Sequence, residues 1–335
     1  MSLWGGLRDR LFGKPGNSAQ VSRFDIEPGL SVLFTRHRLS TQQGLIDCCS
    51  YVTEGLAEHR QKEMVLTLRE TAEVKEDAFR QRVFSAFSTF KHFAAQGRTV
   101  DVGDVTSFGE RRPFPGRQFL YAAASPMPGV PVPQGALAVM LITDKELEIY
   151  MRCGAARVFA SLGKALGYYP HPSWSDLHRA ELPASLLEES LLPKVPSVHM
   201  WSARVVQTEG DLVLRVAPGS HEHFRKLFEQ LPGETQPFAF LTGMDAAANA
   251  CLVWEKGQSE TSAITPPGSR AERISGCFLM ILPGVEPEGV KQQEDGYVWC
   301  LSEASFQALK RALCEEQALA LLVEGWRLRV EWLAP

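Results

Sequence analysis

The chain has 335 residues, 44% hydrophobic and 22% charged, with 35 Lys and Arg against 39 Asp and Glu for a formal charge of −4. That is the composition of an ordinary soluble globular protein, and the length favours two domains or subdomains over one small core. A near-balanced charge with no long basic run excludes an electrostatic case for nucleic acid, and no apolar run approaches the roughly 20 residues that cross a bilayer.

Seven cysteines form an odd set without a C-x-x-C pair, which points to a reducing compartment. The N-terminus has no signal-peptide apolar core, so a cytoplasmic location is expected. Residues 1–15, MSLWGGLRDRLFGKP, place Trp4, Leu7, Leu11 and Phe12 on one helical face, with Arg8, Arg10 and Lys14 largely elsewhere. Such a face docks on the protein's own body, on a partner, or peripherally on a membrane. Residues 13–22 read as a linker.

A short strand is expected over 31–35. The spacing of Leu45, Cys48, Cys49, Val52 and Leu56 predicts a helix over 41–56. A strand over 64–68 precedes a long helix over 75–95 carrying Phe79, Val83, Phe84, Phe87, Phe90 and Phe93, a stripe that reads as core. Further strands are expected over 99–108 and 119–124. The proline-rich stretch 125–133 contains a P-x-x-P spacing, and its flanking strands make it a rigid connection between them.

The chain is organised around residues 135–183. The unbroken apolar run 136–142 predicts a strand covered on both faces. Thr143 and Glu146 then form a capping-box pattern, and Leu147, Met151, Gly154, Val158, Leu162 and Leu166 recur at helical spacing up to Gly167. Residues 168–174, YYPHPSW, follow as a stiff aromatic corner, because each proline restricts the residue before it. Tyr168, Tyr169, His171 and Trp174 are its candidate contact residues.

Prolines around a Leu- and Glu-rich segment place a linker at 184–196, dividing a first subdomain (23–183) from a second (197–335), after the N-terminal segment 1–22. In the second, 198–207 and 212–216 flank a hairpin signal, and Ser220 starts a helix to Leu231. Strands follow over 238–241, 251–255, 277–282 and 297–301, then a helix capped by Ser302. Trp326, Leu328, Val330 and Trp332 alternate with charges as a half-buried antiparallel strand. Strands in runs with interspersed helices give an α+β fold of two mixed, mainly antiparallel sheet-plus-helix subdomains. The pairing of EMVLTL before one helix with DLVLRV before another is consistent with a duplication.

The sequence shows no nucleophile elbow, phosphate-binding glycine loop, H-E-x-x-H or dinucleotide fingerprint, so no catalytic residue, metal or cofactor is assigned. His221 and His223 are spaced i, i+2 at a helix start, where convergence on a metal needs i, i+3 or i, i+4, and read as surface histidines.

Several stretches together resemble the C-terminal domain of the FYVE-finger adaptor proteins, the Smad-anchor and endofin type. They are Phe119-Leu120-Tyr121, Val132-Pro133, the 136–142 strand, the helix ending in LGYYPHP, CLVW at 251–254, ISGCFL at 274–279, GYV at 296–298, FQALKRAL at 306–313 and VEW at 330–332. The resemblance implies a noncatalytic scaffold domain. The FYVE finger and the Smad-binding segment have no counterpart, so phosphoinositide and Smad binding are not carried over. The N-terminal residues also look like those of small bacterial proteins, including immunity proteins with suppressor-of-fused-like domains. The expected function is a cofactor-free protein-interaction domain whose partner is another protein. The alternatives are an immunity protein neutralising a toxin and a hydrolase whose active site is dispersed along the chain.

Overall fold

Residues 20–41, 44–109, 113–188, 190–231, 236–255, 258, 262–323 and 325–334 are described by the computed structural model. Trp4, Leu7, Leu11 and Phe12 lie outside this set, as does most of the expected N-terminal linker. Strand structure has begun by Val21.

Seven strands form the first sheet: β1 Val21–Glu27, β2 Leu30–Thr41, β3 Gly44–Glu54, β4 Met64–Arg69, β5 Val105–Thr106, β6 Arg117–Ala123 and β7 Leu137–Thr143. Their order is β1-β2-β3-β4-β7-β6-β5; β1 to β4 pair antiparallel in succession, as do β5 and β6, and β4 runs parallel to β7. Every residue of β7 is buried, as an unbroken apolar run requires. The proline-rich connection before it is closed where the Ala124 amide donates to the Ala136 carbonyl, and it turns Met127 and Val130 inward.

The helix expected over 41–56 is instead β3. Flanked by β2 and β4, its residues 48–53 are buried on both faces, so the apolar positions match a helical period by coincidence. Tyr51, Val52 and Thr53 are the β-favouring types that decide it. The strand expected over 99–108 shrinks to Val105–Thr106.

The second sheet holds β8 Ser197–Thr208, β9 Asp211–Val216, β10 Phe238–Gly243, β11 Ala250–Val253, β12 Ser262–Ile264, β13 Ile274–Gly276, β14 Phe278–Pro283, β15 Gly289–Gln293, β16 Gly296–Leu301, β17 Leu319–Val323 and β18 Trp326–Trp332. The main path is β12-β11-β13-β8-β10-β14-β16-β15, and a branch runs from β8 through β9 and β18 to β17. The final strand is antiparallel to β17, as its alternation predicts, and parallel to β9 on its other side. The two strand orders differ.

Among the described residues, four helices of ten residues or more accompany the sheets: α1 Asp77–Ala95, α2 Asp144–Leu166, α3 His221–Gln230 and α4 Glu303–Cys314. Packing divides the chain into two units. One takes the described residues of Met1–Asp101 with Tyr121–Met140 and Ser173–Leu177; the other takes Val102–Leu120, Leu141–Pro172 and His178–Pro335. In the first, the phenylalanine stripe of α1 is core except for the half-buried Phe93: Phe84 meets Phe24 at 5.4 Å and Phe90 meets Tyr121 at 6.0 Å between ring centroids. In the second, Phe224, Phe238, Phe240, Trp299 and Phe306 centre one core, and Ala156 and Ala160 of α2 pack on Cys251, Val253 and Cys277.

This partition differs from a linker at 184–196. That segment carries a turn of helix at Ser185–Glu188 and buries Leu186, Ser190 and Leu192, so its prolines shape ordered structure. The α+β class with two subdomains holds; the path between the subdomains is interleaved along the chain.

Candidate functional site

Two buried clusters of charge in the second unit are set by α2. The first is at its start. Thr143 accepts from the Glu146 amide and Glu146 reaches back to the Thr143 amide, completing the capping box expected from sequence. Glu146 is also fully buried, and both its carboxylate oxygens accept from Arg179 at 2.5 Å, while one accepts the Leu182 amide at 2.9 Å. Burial pushes this carboxyl up, but the Arg179 hydrogen bonds and charge outweigh burial and leave it below the usual carboxylate range. The cap therefore also fastens the segment around 179–182.

The second cluster sits midway along the helix. At Gly154 the backbone leaves helical geometry (φ 86°, ψ 165°), a region essentially reserved for glycine, and a Cβ there would stand 3.2 Å from Leu241 Cβ. Just beyond the kink Arg157 is 0% exposed. Its Nε donates to both oxygens of Asp295 at 3.1 and 2.8 Å, and its Nη2 to Asp295 and, at 2.7 Å, to Glu294. Its Nη1 donates to Ser190 Oγ at 2.9 Å and lies 3.4 Å from the Leu186 carbonyl and from Cys153 Sγ. The Trp254 ring lies 5.6 Å from the guanidinium carbon.

Glu294 and Asp295 form the two-residue turn between β15 and β16, with Glu294 at φ 49°. Holding a non-glycine residue there costs free energy, and the ion pairs it makes offset that cost. Glu294 also accepts the Leu191 amide at 2.5 Å. Burial opposes charge on Arg157, yet the adjacent Asp295 carboxylate holds its pKa above the usual arginine value. The donors and acceptors of this centre are directed at one another, so what it does chemically is join α2, the 186–191 segment and the β15–β16 turn.

The aromatic corner follows the end of α2 at Gly167. Tyr168, Tyr169 and His171 belong to the second unit, and buried Trp174 to the first. Tyr169 packs on the Ala156, Ala160, Cys251 and Cys277 cluster and donates from its hydroxyl to the Ala248 carbonyl at 3.1 Å; burial pushes the phenol up. His171 stacks 4.9 Å from Phe159, its Nδ1 is 3.1 Å from the Pro172 carbonyl, and burial pulls its pKa down. Tyr168 is half-buried.

Elsewhere, His221 Nδ1 lies 2.9 Å from Glu316, and no group of three or more His, Cys, Asp or Glu among the described residues has metal-binding geometry. Burial pushes the Cys48, Cys49 and Cys251 thiols up to about 12 and Cys277 well above the usual thiol range, so they stay protonated. No described helix is long and apolar enough to cross a membrane.

Sequence reasoning missed Arg157, Glu294, Asp295 and Arg179. The available signals were an arginine inside the apolar run AARVFA and a charged pair at a hairpin turn before glycine.

No family model and no curated protein matches this chain. Among solved structures, the crystal structure of Drosophila Suppressor of Fused is similar at 10% identity and a TM-score of 0.34, covering 94% of this chain and 90% of that one. The Sufu-Fu complex crystal structure gives 9% identity and a TM-score of 0.35, covering 53% of this chain and 89% of that one. At these values the likeness carries no argument about fold or function.

Proposed function

We propose that the chain is a noncatalytic protein-interaction module whose partner is another protein. The observation that carries this reading is where its charges and its apolar side chains lie. The two buried ion clusters, Glu146 with Arg179 and Arg157 with Asp295 and Glu294, are each closed on themselves inside the second unit. The thiols of Cys48, Cys49, Cys251 and Cys277 are protonated and buried. By contrast, Leu45, Met151 and Leu322 stand in solvent at 71%, 61% and 81% exposure. Candidate contact residues under this reading are Trp4, Leu7, Leu11 and Phe12, which lie outside the described residues, together with the half-buried Tyr168.

The test is to capture partners with the full chain and with a chain lacking residues 1–19, and to run a broad hydrolytic substrate panel on the same preparations. The reading expects a partner of fixed stoichiometry, weakened by the truncation or by Tyr168→Ala, and no turnover above buffer. Turnover that survives purification, with no stoichiometric partner, would overturn it.

A further inference from the structure

Sheet edges carry unpaired backbone N–H and C=O groups, and folded proteins blunt them with charge, bulges or shortness. Among the described residues, the sheet edges follow that rule except at one place. In the first sheet β1 carries exposed Arg23 and Asp25 with a register irregularity between Asp25 and Glu27, and β5 has two residues. In the second, β15 exposes Lys291, Gln292 and Gln293, and β12 has three residues. β17 reads LALLV, has no charge, proline or bulge, and among the described residues pairs only with β18.

Register shows what that edge presents. Val323 stands opposite Trp326 across a two-residue connection. The antiparallel alternation then gives residues 323, 321 and 319 the hydrogen bonds to β18 and turns the N–H and C=O of Ala320 and Leu322 outward. Those two side chains are also the solvent-exposed ones. On the other face, Leu319, Leu321 and Cys314 are only half-covered by the core they pack on.

We propose that β17 is the seam of a homodimer in which a second copy adds its own β17 antiparallel, with the twofold axis at Leu321. The sequence is self-complementary in that register. Ala320 faces Leu322 of the other copy and Leu322 faces its Ala320, so a large side chain meets a small one twice. The outward backbone groups of both residues are the ones that pair, the half-covered Leu321 completes its burial against Leu321 of the other copy, and the half-covered Leu319 lies opposite the other copy's Val323. β17 itself offers no charge to select an acidic or basic peptide, and Arg327 and Arg329, opposite Leu322 and Ala320 on β18, are tied to Asp211 and Glu331, which favours a second copy over a foreign strand. A five-residue seam is short for a stable interface, so the dimer is expected to be weak and reversible. The inference stands whether or not the proposed heterologous partner exists.

The test is sedimentation velocity of the full chain across the micromolar range. The unmodified chain is expected to pass reversibly from monomer to dimer. Leu322→Lys places a charge on the seam at an exposed position, and Ala320→Pro removes one outward N–H at an edge site where proline is tolerated. Both are expected to stay monomeric, with the low-concentration unfolding midpoint of Leu322→Lys unchanged. Register is read by oxidising an equal mixture of Ala320→Cys and Leu322→Cys chains, each in a Cys314→Ser background. Facing residues lie about 5.5 Å apart between Cα atoms, within disulfide reach, so the mixture cross-links and neither variant does alone. A chain that stays monomeric throughout, a dimer that survives both edge variants, or cross-linking no stronger in the mixture than in either variant alone overturns the proposal. A foreign strand found on β17 of a monomeric chain overturns it too.

Discussion

Glu146 is a carboxylate kept charged where burial alone would neutralise it. Its pKa lies below the ordinary 4.5, so the folded state binds fewer protons than the unfolded state as pH falls below that value. The stabilisation is complete above the ordinary pKa and is lost as pH drops through the depressed folded one. Glu146→Gln is therefore expected to flatten the acid limb of stability below pH 4.5, measured as denaturant midpoint against pH. An unchanged acid limb would remove Glu146 from the account. His171 acts with the same sign. Burial depresses its pKa below 6.5, so unfolding takes up a proton and stability falls as pH drops below 6.5. His37 and His199 are depressed by burial too. His171→Gln should remove its share of the loss seen on going from pH 7.5 to 5.5, read from thermal midpoints.

At the scale of elements, α2 shows how local sequence and tertiary demand divide the work. Its start at Thr143 and its stop at Gly167 were legible because caps are local chemistry. Gly154 reads in the sequence as one more position on a helical stripe, yet the helix breaks there, beside Leu241 of β10, a neighbour distant in sequence. Gly154→Ala is expected to cost about 1–3 kcal/mol by denaturant unfolding, because alanine is strained at that φ and ψ whatever the space. A loss of only a few tenths would mean the backbone relaxes into a continuous helix. The hairpin of β8 and β9 and the alternation of β18 were likewise readable, because turn chemistry and period two are local signals. β3 was not. A strand buried on both faces loses its alternation, and the helical period it then mimics is accidental. The strand β15 (GVKQQ) was missed for the opposite reason, as it is almost wholly polar. The N-terminal candidates Trp4, Leu7, Leu11 and Phe12 lie outside the described residues, and of the corner candidates Trp174 and Tyr169 are held in their own units' packing. An aromatic, proline-rich stretch looks the same in sequence whether it faces a partner or a core.

For the molecule as a whole, the two units are each built from segments distant in sequence. That is why a proline-rich stretch at 184–196 misled as a boundary: it reads as a linker by composition and is held by Arg157 through Ser190 and Leu186. This buried arginine holds the second unit together, joining α2 to Ser190 and to the β15–β16 turn. Breaking a buried pair on one side leaves an uncompensated charge, which costs about 3–5 kcal/mol. The direct measurement is a double-mutant cycle of Arg157→Met and Asp295→Asn by denaturant unfolding. The account predicts that Arg157→Met loses about 3–5 kcal/mol and that the double variant loses at least 1 kcal/mol less than the sum of the singles. A loss under about 1 kcal/mol for Arg157→Met, with the two changes simply additive, would contradict it.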